Sequence, residues 1–457
     1  MTDDTDVTNK VKVARSFFES GRTLDFSFRK EQLLRLRRWI LNNGQEIEKV
    51  LREDLNKSAE ESYMTETGMI LSGLTYTLAH LKKWMRDRRV KTPLSLFPGK
   101  SYISPHPYGT ALVIAPWNYP FLLSLDPVAA AIAAGNTVVL KPSEFAPATA
   151  GLLERLAKEV FEPGLVQVAQ GAQGTAEALL GERFDFIFFT GSAAVGASVM
   201  QKAAQFLTPV VLELGGKSPC IVTRSADIKL AARRIAFGKL LNAGQTCVAP
   251  DFVYADAQIK ERLTDALIAE FDKMLPAGAA SPDYVRIVNE RHFARLQQLI
   301  AGESVRYGGT RDGLKIAPTI LDNVTFESPV MRQEIFGPVL PILAYNDEQE
   351  MLARLKAMPH PLALYLFAND KSIERRIFRE LNFGGGCIND TIMHIASPHL
   401  PFGGVGTSGM GAYHGEAGFR AFSHERSVLK KGAFPDFAFR YQPYTRTGIA
   451  LLKKILR

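Results

Sequence analysis

The sequence has few of the features that mark secreted, metal-binding or membrane-spanning proteins. Its 457 residues include only three cysteines without a CxxC pair, so neither a disulfide framework nor a zinc site is expected. The apolar run 127–134 is far shorter than the roughly 18 residues of a membrane helix. Asp3, Asp4 and Asp6 make the start acidic, unlike a signal peptide. We therefore expect a protein of a reducing, cytoplasmic compartment that does not cross a membrane.

Charge and length narrow the class of protein further. The net charge of +8 results from 55 basic and 47 acidic residues that are spread along the chain. Nucleic-acid binders usually concentrate their basic residues and interleave them with aromatic side chains, so no nucleic-acid partner is expected. Single hydrophobic cores stop growing at roughly 250 to 300 residues, so this length predicts two or three domains.

Hydrophobic periodicity divides the chain into a helical start and two alternating regions. Residues 11–89 have the spacing of amphipathic helices. Short apolar runs that alternate with helical segments then predict a parallel sheet covered on both faces, with strands at 111–115, 137–141, 166–169 and 186–190. After 213–217 the alternation restarts and predicts a second α/β region, with strands at 219–223, 251–255 and 362–367 and helices at 228–241 and 259–274.

One cysteine is a candidate nucleophile. The segment Asn242-Ala-Gly-Gln-Thr-Cys247 places a thiol after a glycine-containing turn that should follow a helix ending near Leu241. Most free cysteines are inert core residues, which is the favoured interpretation of a lone cysteine. A cysteine that attacks an aldehyde needs donors for the developing oxyanion. Asn118, in Trp117-Asn-Tyr-Pro after an apolar run, is a candidate donor, although asparagine is also common in ordinary turns.

Glu213 is a candidate general base. It ends the apolar run 209–212, where partial burial would raise its pKa towards the working range of a base. The simpler interpretation is a strand-end glutamate that pairs with a lysine. Gly215 and Gly216 follow it, which indicates close backbone approach or a hinge between domains.

Two strand-to-helix turns are candidates for binding a phosphate-containing ligand. Segment 189–196 contains Gly191 and Gly196 around Ser192, a candidate helix N-cap, and a helix N-terminus favours anions. The glycine spacing is not GxGxxG, so this signal alone is weak. Lys141-Pro-Ser-Glu144 offers an ammonium and a carboxylate where an adenosine ribose lies in doubly wound sheets, and alone it is also an ordinary turn.

Together and in this order, these segments resemble the motifs of the aldehyde dehydrogenase superfamily. The resemblance spans nearly the whole chain and rests on seven motifs, namely Trp117-Asn-Tyr-Pro, Lys141-Pro-Ser-Glu, Phe189-Thr-Gly-Ser, Glu213-Leu-Gly-Gly-Lys, Gly244-Gln-Thr-Cys, Glu334-Ile-Phe-Gly-Pro and Pro401-Phe-Gly-Gly. It implies an α/β fold with a Rossmann-type cofactor domain, an α/β catalytic domain and a small oligomerisation arm. The cofactor domain is expected over residues 1–212, completed by 396–420. The catalytic domain is expected over 213–395 and the oligomerisation arm over 421–457.

The resemblance also implies a role for each motif residue. Cys247 would be the nucleophile, Asn118 the oxyanion donor, and Glu213 the base that activates water. NAD would be the cofactor, with use of NADP also expected, and no metal is implied. The residues assigned to cofactor binding are Trp117, Lys141, Glu144, Gly191, Ser192, Val195, Gly196, Glu334 and Phe402.

The implied reaction is oxidation of an aldehyde to a carboxylic acid through a thiohemiacetal and a thioester on Cys247. An acylating enzyme that transfers the thioester to coenzyme A does not need a water-activating base, so the presence of Glu213 argues against that alternative. A catalytically silent relative that only keeps the fold is a second alternative. Loss of Cys247 or Asn118 would have indicated it, and both residues are present.

Further segments are similar to the class 3 branch of the superfamily, which includes fatty, aromatic and apocarotenoid aldehyde dehydrogenases. They are the short N-terminus, Cys247-Val-Ala-Pro-Asp and Arg440-Tyr-Gln-Pro-Tyr, and they imply such an aldehyde as substrate and a homodimer. Gln333 departs from the glutamate of many relatives, and the tail lacks the long apolar anchor of membrane-bound members. Residues 449–457 predict a short basic amphipathic helix, which either contacts anionic membranes peripherally or docks on its own dimer.

Overall fold

Residues 4–456 are described in the computed structural model of the chain, without the side chains of Asp4 and Ile455, so residues 1–3 of the acidic start and Arg457 lie outside the described part. The helices are α1 Asp4–Glu19, α2 Phe26–Asn42, α3 Gly44–Leu55, α4 Ala59–Ser62, α5 Gly68–Trp84, α6 Leu122–Ala134, α7 Pro147–Val160, α8 Gln173–Gly181, α9 Ala193–Ala204, α10 Ile228–Leu240, α11 Lys260–Met274, α12 Glu290–Ile300, α13 Glu348–Lys356, α14 Lys371–Glu380, α15 Gly415–Ala421 and α16 Arg446–Ile455. The strands are β1 Arg88–Val90, β2 Lys100–Pro107, β3 Thr110–Ile114, β4 Thr137–Lys141, β5 Val166–Val168, β6 Phe186–Thr190, β7 Val210–Glu213, β8 Pro219–Val222, β9 Phe252–Asp256, β10 Ser304–Tyr307, β11 Arg311–Asp312, β12 Lys315–Ile316, β13 Thr319–Asp322, β14 Val339–Tyr345, β15 Ala363–Phe367, β16 Gly385–Ile388, β17 Gly409–Met410 and β18 Ser423–Lys430.

A six-stranded sheet with the order β17-β7-β6-β3-β4-β5 holds the first set of motifs. Its neighbouring strands are parallel except for β17, which pairs antiparallel with β7. Every residue of β3 and β4 is buried, as expected for strands covered on both faces. From β3 the chain continues to β4 on one side of β3. It later returns to the other side of β3 as β6. This reversal is the position at which doubly wound sheets bind ligands.

The register of this sheet aligns the motif residues at one edge. Ile114 at the end of β3 lies opposite both Lys141 and Phe189, and Thr190 lies opposite Glu213. The carboxyl ends of these parallel strands therefore lie side by side. The segments that follow β3 and β6 emerge at the same edge as Lys141 and Glu213.

The second sheet has seven strands in the order β10-β13-β14-β9-β8-β15-β16 and is parallel except for β10 with β13. The predicted α/β class with a second alternating region is therefore confirmed. The predicted strand at 251–255 is shifted by one residue, because the Asp251 N–H bonds the Ser218 carbonyl outside the ladder of β9. The predicted domain boundaries stay predictions.

A third, antiparallel sheet, β1-β2-β18, combines a segment near residue 100 with one near residue 425. The following α16 covers most of the tail segment in which an amphipathic helix was predicted. Within residues 4–456, none of the helices combines the length and apolar character needed to span a membrane.

The helices at the start of the chain carry a buried ion pair. Lys57 Nζ lies 2.5 Å from Glu66 Oε1, and both side chains are fully buried. The other Glu66 oxygen accepts hydrogen bonds from the backbone N–H groups of Phe121 and Leu122 at 2.8 and 3.1 Å. Lys57 also donates to the backbone carbonyl of Asn118 at 3.0 Å. The pair therefore connects the N-terminal helices to the segment after β3.

We predict that Lys57→Met lowers the free energy of unfolding by about 3 to 5 kcal/mol, because it leaves the Glu66 carboxylate buried without its counter-charge. Urea and thermal unfolding midpoints measure the loss. Arg52→Gln, which breaks the exposed ion pair with Asp283, is the matched control and should cost at most about 1 kcal/mol. Equal shifts for the two variants would contradict the prediction.

Candidate active site

The candidate nucleophile lies at the end of a tight turn. Helix α10 ends at Leu240, and the next turn has positive φ angles at Asn242, Ala243 and Gly244 of 52°, 51° and 70°. A Cβ at position 244 would collide with the Gly337 carbonyl, so glycine is required there. Cys247 follows and is partly exposed. The predicted glycine-containing turn that presents the thiol is therefore confirmed.

Two loops next to this thiol are joined by hydrogen bonds. Asn118 Nδ2 donates to the Gln245 carbonyl at 3.0 Å, and Asn242 Nδ2 donates to the Asn118 carbonyl at 2.9 Å. The neighbouring side chains of Tyr119 and Thr246 are joined by a hydrogen bond of 2.5 Å. Asn118 thus lies beside the cysteine turn with one of its two amide hydrogens in the bond to Gln245. The oxyanion role of Asn118 stays a prediction.

Glu213 ends β7 and is a buried carboxyl. It is 2% exposed, and neither carboxylate oxygen has a hydrogen-bond partner within residues 4–456. Burial raises the pKa of Glu213 well above its ordinary value. The pairing with a lysine that the simpler interpretation required does not occur in this part of the chain. An unpaired carboxyl of raised pKa suits a general base.

The half-buried Glu334 is a second carboxyl near the thiol. Glu334 is packed so tightly against Gly215 that a Cβ there would collide with its carboxylate. Burial, followed by the charge of Asp251, raises the pKa of Glu334 to about 8. Burial also raises the pKa of the Cys247 thiol, and the nearby carboxylates of Glu334 and Glu213 raise it further. The thiol is therefore protonated at neutral pH and needs a base to become a nucleophile.

Two lysines near Glu334 differ in how their ammonium groups are hydrogen-bonded. Lys217 pairs with Asp251 at 2.6 Å and donates to two backbone carbonyls, so its charge is well satisfied. Lys239 on α10 is 1% exposed, and its ammonium has no hydrogen-bond partner in the described chain. Burial lowers the pKa of Lys239 to about 8. Lys217 ends the Glu213-Leu-Gly-Gly-Lys motif, whereas nothing in the sequence marks Lys239, because a lysine in a helical segment usually faces solvent.

The predicted phosphate-binding turn has the expected geometry. The Ser192 side chain accepts from the Val195 N–H at 3.4 Å and caps α9, whose first turn is exposed. A Cβ at Gly191 would meet the Phe189 ring, and one at Gly196 would meet Leu214 at 2.6 Å. Both glycines therefore let the backbone of the turn pack closely against the strand edge.

The other cofactor candidates divide between the two sheets. Lys141 and Glu144 form an ion pair of 2.6 Å at the end of β4. Trp117 instead faces the second sheet, with its ring centroid 5.4 Å from that of Phe336, two residues after Glu334. Phe402 is held by paired backbone hydrogen bonds of 3.0 and 2.7 Å to Tyr413.

An apolar cavity of about 180 Å³ opens onto Cys247. Its walls come from the N-terminal helices, from α6, from α10 and from the loop after β16, with Met64, Met69, Leu122, Phe237 and Ile395 among the side chains. Phe402 also lines it. The helical periodicity of residues 11–89 does not reveal their part in this cavity.

The chain matches known proteins over almost its full length. The sequence model of the aldehyde dehydrogenase family matches residues 1–428. The 4,4'-diaponeurosporen-aldehyde dehydrogenase of Staphylococcus aureus is 46% identical over 443 residues, which cover 96% of each chain. The dimeric NADP-preferring aldehyde dehydrogenase of Rattus norvegicus is 44% identical over 442 residues, covering 96% of this chain and 98% of the relative.

Solved structures agree with these matches. The substrate-bound Staphylococcus aureus AldH superposes with a TM-score of 0.96 at 44% identity, covering 99% of each chain. An indole-3-acetaldehyde dehydrogenase of P. syringae in complex with NAD+ superposes with a TM-score of 0.87 at 26% identity, covering 94% of this chain and 89% of that one. With motifs, fold and full-length relatives in agreement, the chain belongs to the aldehyde dehydrogenase family.

Proposed function

We propose that this enzyme oxidises an apolar aldehyde to the carboxylic acid with NAD or NADP, through a thioester on Cys247. The observation that carries the proposal is the position of Cys247. It opens into an apolar cavity and lies near the carboxyls of Glu213 and Glu334, whose pKa values are raised. An oxidoreductase of the aldehyde dehydrogenase family needs this combination of nucleophile, base and substrate space.

The first step is addition of Cys247 to the aldehyde. A neighbouring carboxylate takes the thiol proton, because the raised pKa of these carboxyls makes their ionised forms stronger bases than a carboxylate in water. The sulfur then bonds to the carbonyl carbon, and the carbonyl oxygen becomes an alkoxide. The side-chain amide of Asn118 and the Cys247 backbone N–H are the donors that we assign to this oxyanion.

The residues at the strand edge fit a dinucleotide. The exposed first turn of α9 offers its backbone N–H groups to a pyrophosphate, whereas the N–H groups of Gly191 and Gly196 bond the carbonyls of Glu213 and Ser192. Lys141 and Glu144 would hold the ribose, and Glu334 and Phe402 the nicotinamide side. When bound there, the nicotinamide would supply the hydride acceptor for the adduct on Cys247. Since Glu144 would repel a phosphate on the ribose, we expect NAD to be used at least as well as NADP.

Release of the acid depends on Glu213. Its carboxylate takes a proton from water, the resulting hydroxide adds to the thioester carbon, and the thiolate of Cys247 leaves. Because Glu213 is buried without a hydrogen-bond partner in the described residues, nothing nearby competes for its oxygens.

We infer a fatty, aromatic or apocarotenoid aldehyde as the substrate class and a homodimer as the assembly. One relative is named a 4,4'-diaponeurosporen-aldehyde dehydrogenase, and the rat enzyme is named dimeric, which supports both inferences. The cavity wall agrees with a substrate of low polarity. The three free cysteines support a reducing, cytoplasmic location.

We also propose that the C-terminal segment contacts anionic membranes peripherally. Leu94, Phe97, Phe434 and Leu456 are between 67% and 87% exposed. Leu94, Phe97 and Leu456 line one groove between the segment near residue 95 and α16. Lys453 and Lys454 lie in the last turn of α16. Exposed apolar groups beside basic ones favour anionic lipid surfaces.

Activity tests the function directly. Aliphatic, aromatic and polyene aldehydes should give the carboxylic acid with NAD and with NADP, and coenzyme A should not change the product. Formation of an acyl coenzyme A would instead support the acylating alternative, and no turnover with any aldehyde would contradict the proposal.

We predict that Cys247→Ala lowers turnover at least about 1000-fold, because the covalent step is lost. Cofactor binding should persist, since the thiol does not hold the dinucleotide, and a fluorescence titration measures it. Cys220→Ala and Cys387→Ala are the matched controls and should lose little activity. Comparable loss in either control would show that the nucleophile is misassigned.

We predict that Glu213→Gln accumulates acyl enzyme. The variant keeps the shape of the side chain and removes the base, so steady-state turnover should fall about 100-fold or more while the first turnover still yields NADH. Rapid mixing followed by mass spectrometry of the quenched protein detects the adduct on Cys247. Unchanged steady-state turnover would exclude Glu213 as the base and direct attention to Glu334.

We predict that the double variant Lys453→Glu and Lys454→Glu co-sediments less with vesicles of anionic lipid than the unaltered chain, because two charges that attract the headgroups are reversed. The double variant Lys229→Glu and Lys371→Glu makes the same charge change on exposed residues elsewhere and should pellet normally. Equal pelleting of all three proteins would remove the membrane role and favour docking of α16 within the dimer.

A further inference from the structure

The mostly apolar wall of the cavity at Cys247 contains an aspartate–histidine pair, besides hydroxyl-bearing residues such as Thr65, Ser72 and Thr246. Asp126 of α6 and His414, immediately before α15, both line it, and His414 Nε2 lies 3.6 Å from Asp126 Oδ2. This separation exceeds a hydrogen bond. The Asp126 side chain is 22% exposed. On its other side it faces Gly73, where a Cβ would lie 3.6 Å from Oδ1, so no side chain fills that space.

The backbone of His414 is held in an uncommon conformation. Its φ angle is 73°, in the left-handed region that non-glycine residues rarely adopt. Its ring stacks on Phe402 at 5.2 Å and contacts Tyr413 at 4.3 Å between centroids. Local strain of this kind is found at functional sites, where surrounding contacts keep the residue in place. The imidazole is therefore fixed in the wall of the cavity beside Asp126.

We propose that Asp126 and His414 form a polar subsite that binds a hydroxyl or carbonyl oxygen on the body of the substrate, at a fixed distance from the reacting aldehyde group. An oxygen placed between the two side chains accepts a hydrogen bond from each. The substrate class is then an apolar aldehyde that carries a second oxygen function. This inference rests on the proposed function, because it concerns the substrate of the same cavity.

The chemistry of the pair suits a neutral oxygen better than a charged group. Burial raises the pKa of Asp126 to about 7. Burial and then the nearby His394 lower the pKa of His414 to about 4. Near neutral pH the imidazole is therefore uncharged and the carboxyl carries its proton in a substantial fraction of molecules. A protonated carboxyl and an imidazole N–H are both donors, whereas a second carboxylate on the substrate would meet the ionised fraction of Asp126.

The test compares octanal with a series of hydroxyoctanals that carry the hydroxyl at successive carbons. The unaltered enzyme should prefer one position of the series over octanal by about three- to tenfold in kcat/KM, through KM rather than kcat. One preferred position is expected because the pair is fixed relative to Cys247. Octanal carrying a terminal carboxylate should be the poorest substrate.

Variants test whether the Asp126–His414 pair causes the preference for one hydroxyl position. Asp126→Leu and His414→Phe should each abolish the positional preference, and Asp126→Asn, which retains a donor, should keep part of it. Asp283→Leu, at a surface aspartate outside the cavity, is the control and should keep all of it. Binding of the matching saturated alcohols to Cys247→Ala protein gives the same comparison without turnover. Oxidation of octanal without any preferred position, or a preference that survives in Asp126→Leu, would overturn the inference while leaving the proposed function intact.

Discussion

The buried Lys57–Glu66 ion pair determines where the catalytic loops lie. Desolvating two charges is costly, and here the cost is offset because the pair also bonds the backbone groups of Asn118, Phe121 and Leu122. Asn118 in turn is bonded to the cysteine turn at Gln245. One electrostatic contact therefore links the N-terminal helices, the segment after β3 and the turn that presents the thiol. The oxyanion donor and one wall of the cavity derive their positions from it.

Desolvation raises the pKa of all three reacting groups of this site. It raises the pKa of Glu213 and Glu334, which makes their carboxylates stronger bases, and it also raises the pKa of the Cys247 thiol, which makes the thiolate scarcer. A free thiolate is therefore rare in the resting protein. Attack and proton removal must occur together, once an aldehyde fills the cavity. Such coupling restricts side reactions of the cysteine.

The features that the sequence predicts well are those with local causes. Strands β4 and β6 coincide with their predicted runs because residues buried on both faces form uninterrupted apolar stretches. The Ser192 cap depends on residues three positions apart. Lys57, Lys239 and the Asp126–His414 pair could not be found in this way. Their burial and proximity result from tertiary packing between distant segments, and no periodicity marks a charged residue that becomes buried.

Because of the short pairing of β17 with β7, the active site depends on residues that are synthesised late. Gly409 lies opposite Glu213, and the Leu214 N–H bonds the Ser408 carbonyl, so the base is enclosed by a segment that follows it by almost half the chain. Contacts of such large sequence separation form late in folding. A chain still on the ribosome thus contains Cys247 and Glu213 before the segment that encloses Glu213 has been synthesised. Catalytic competence arrives only after nearly all of the polypeptide has been synthesised.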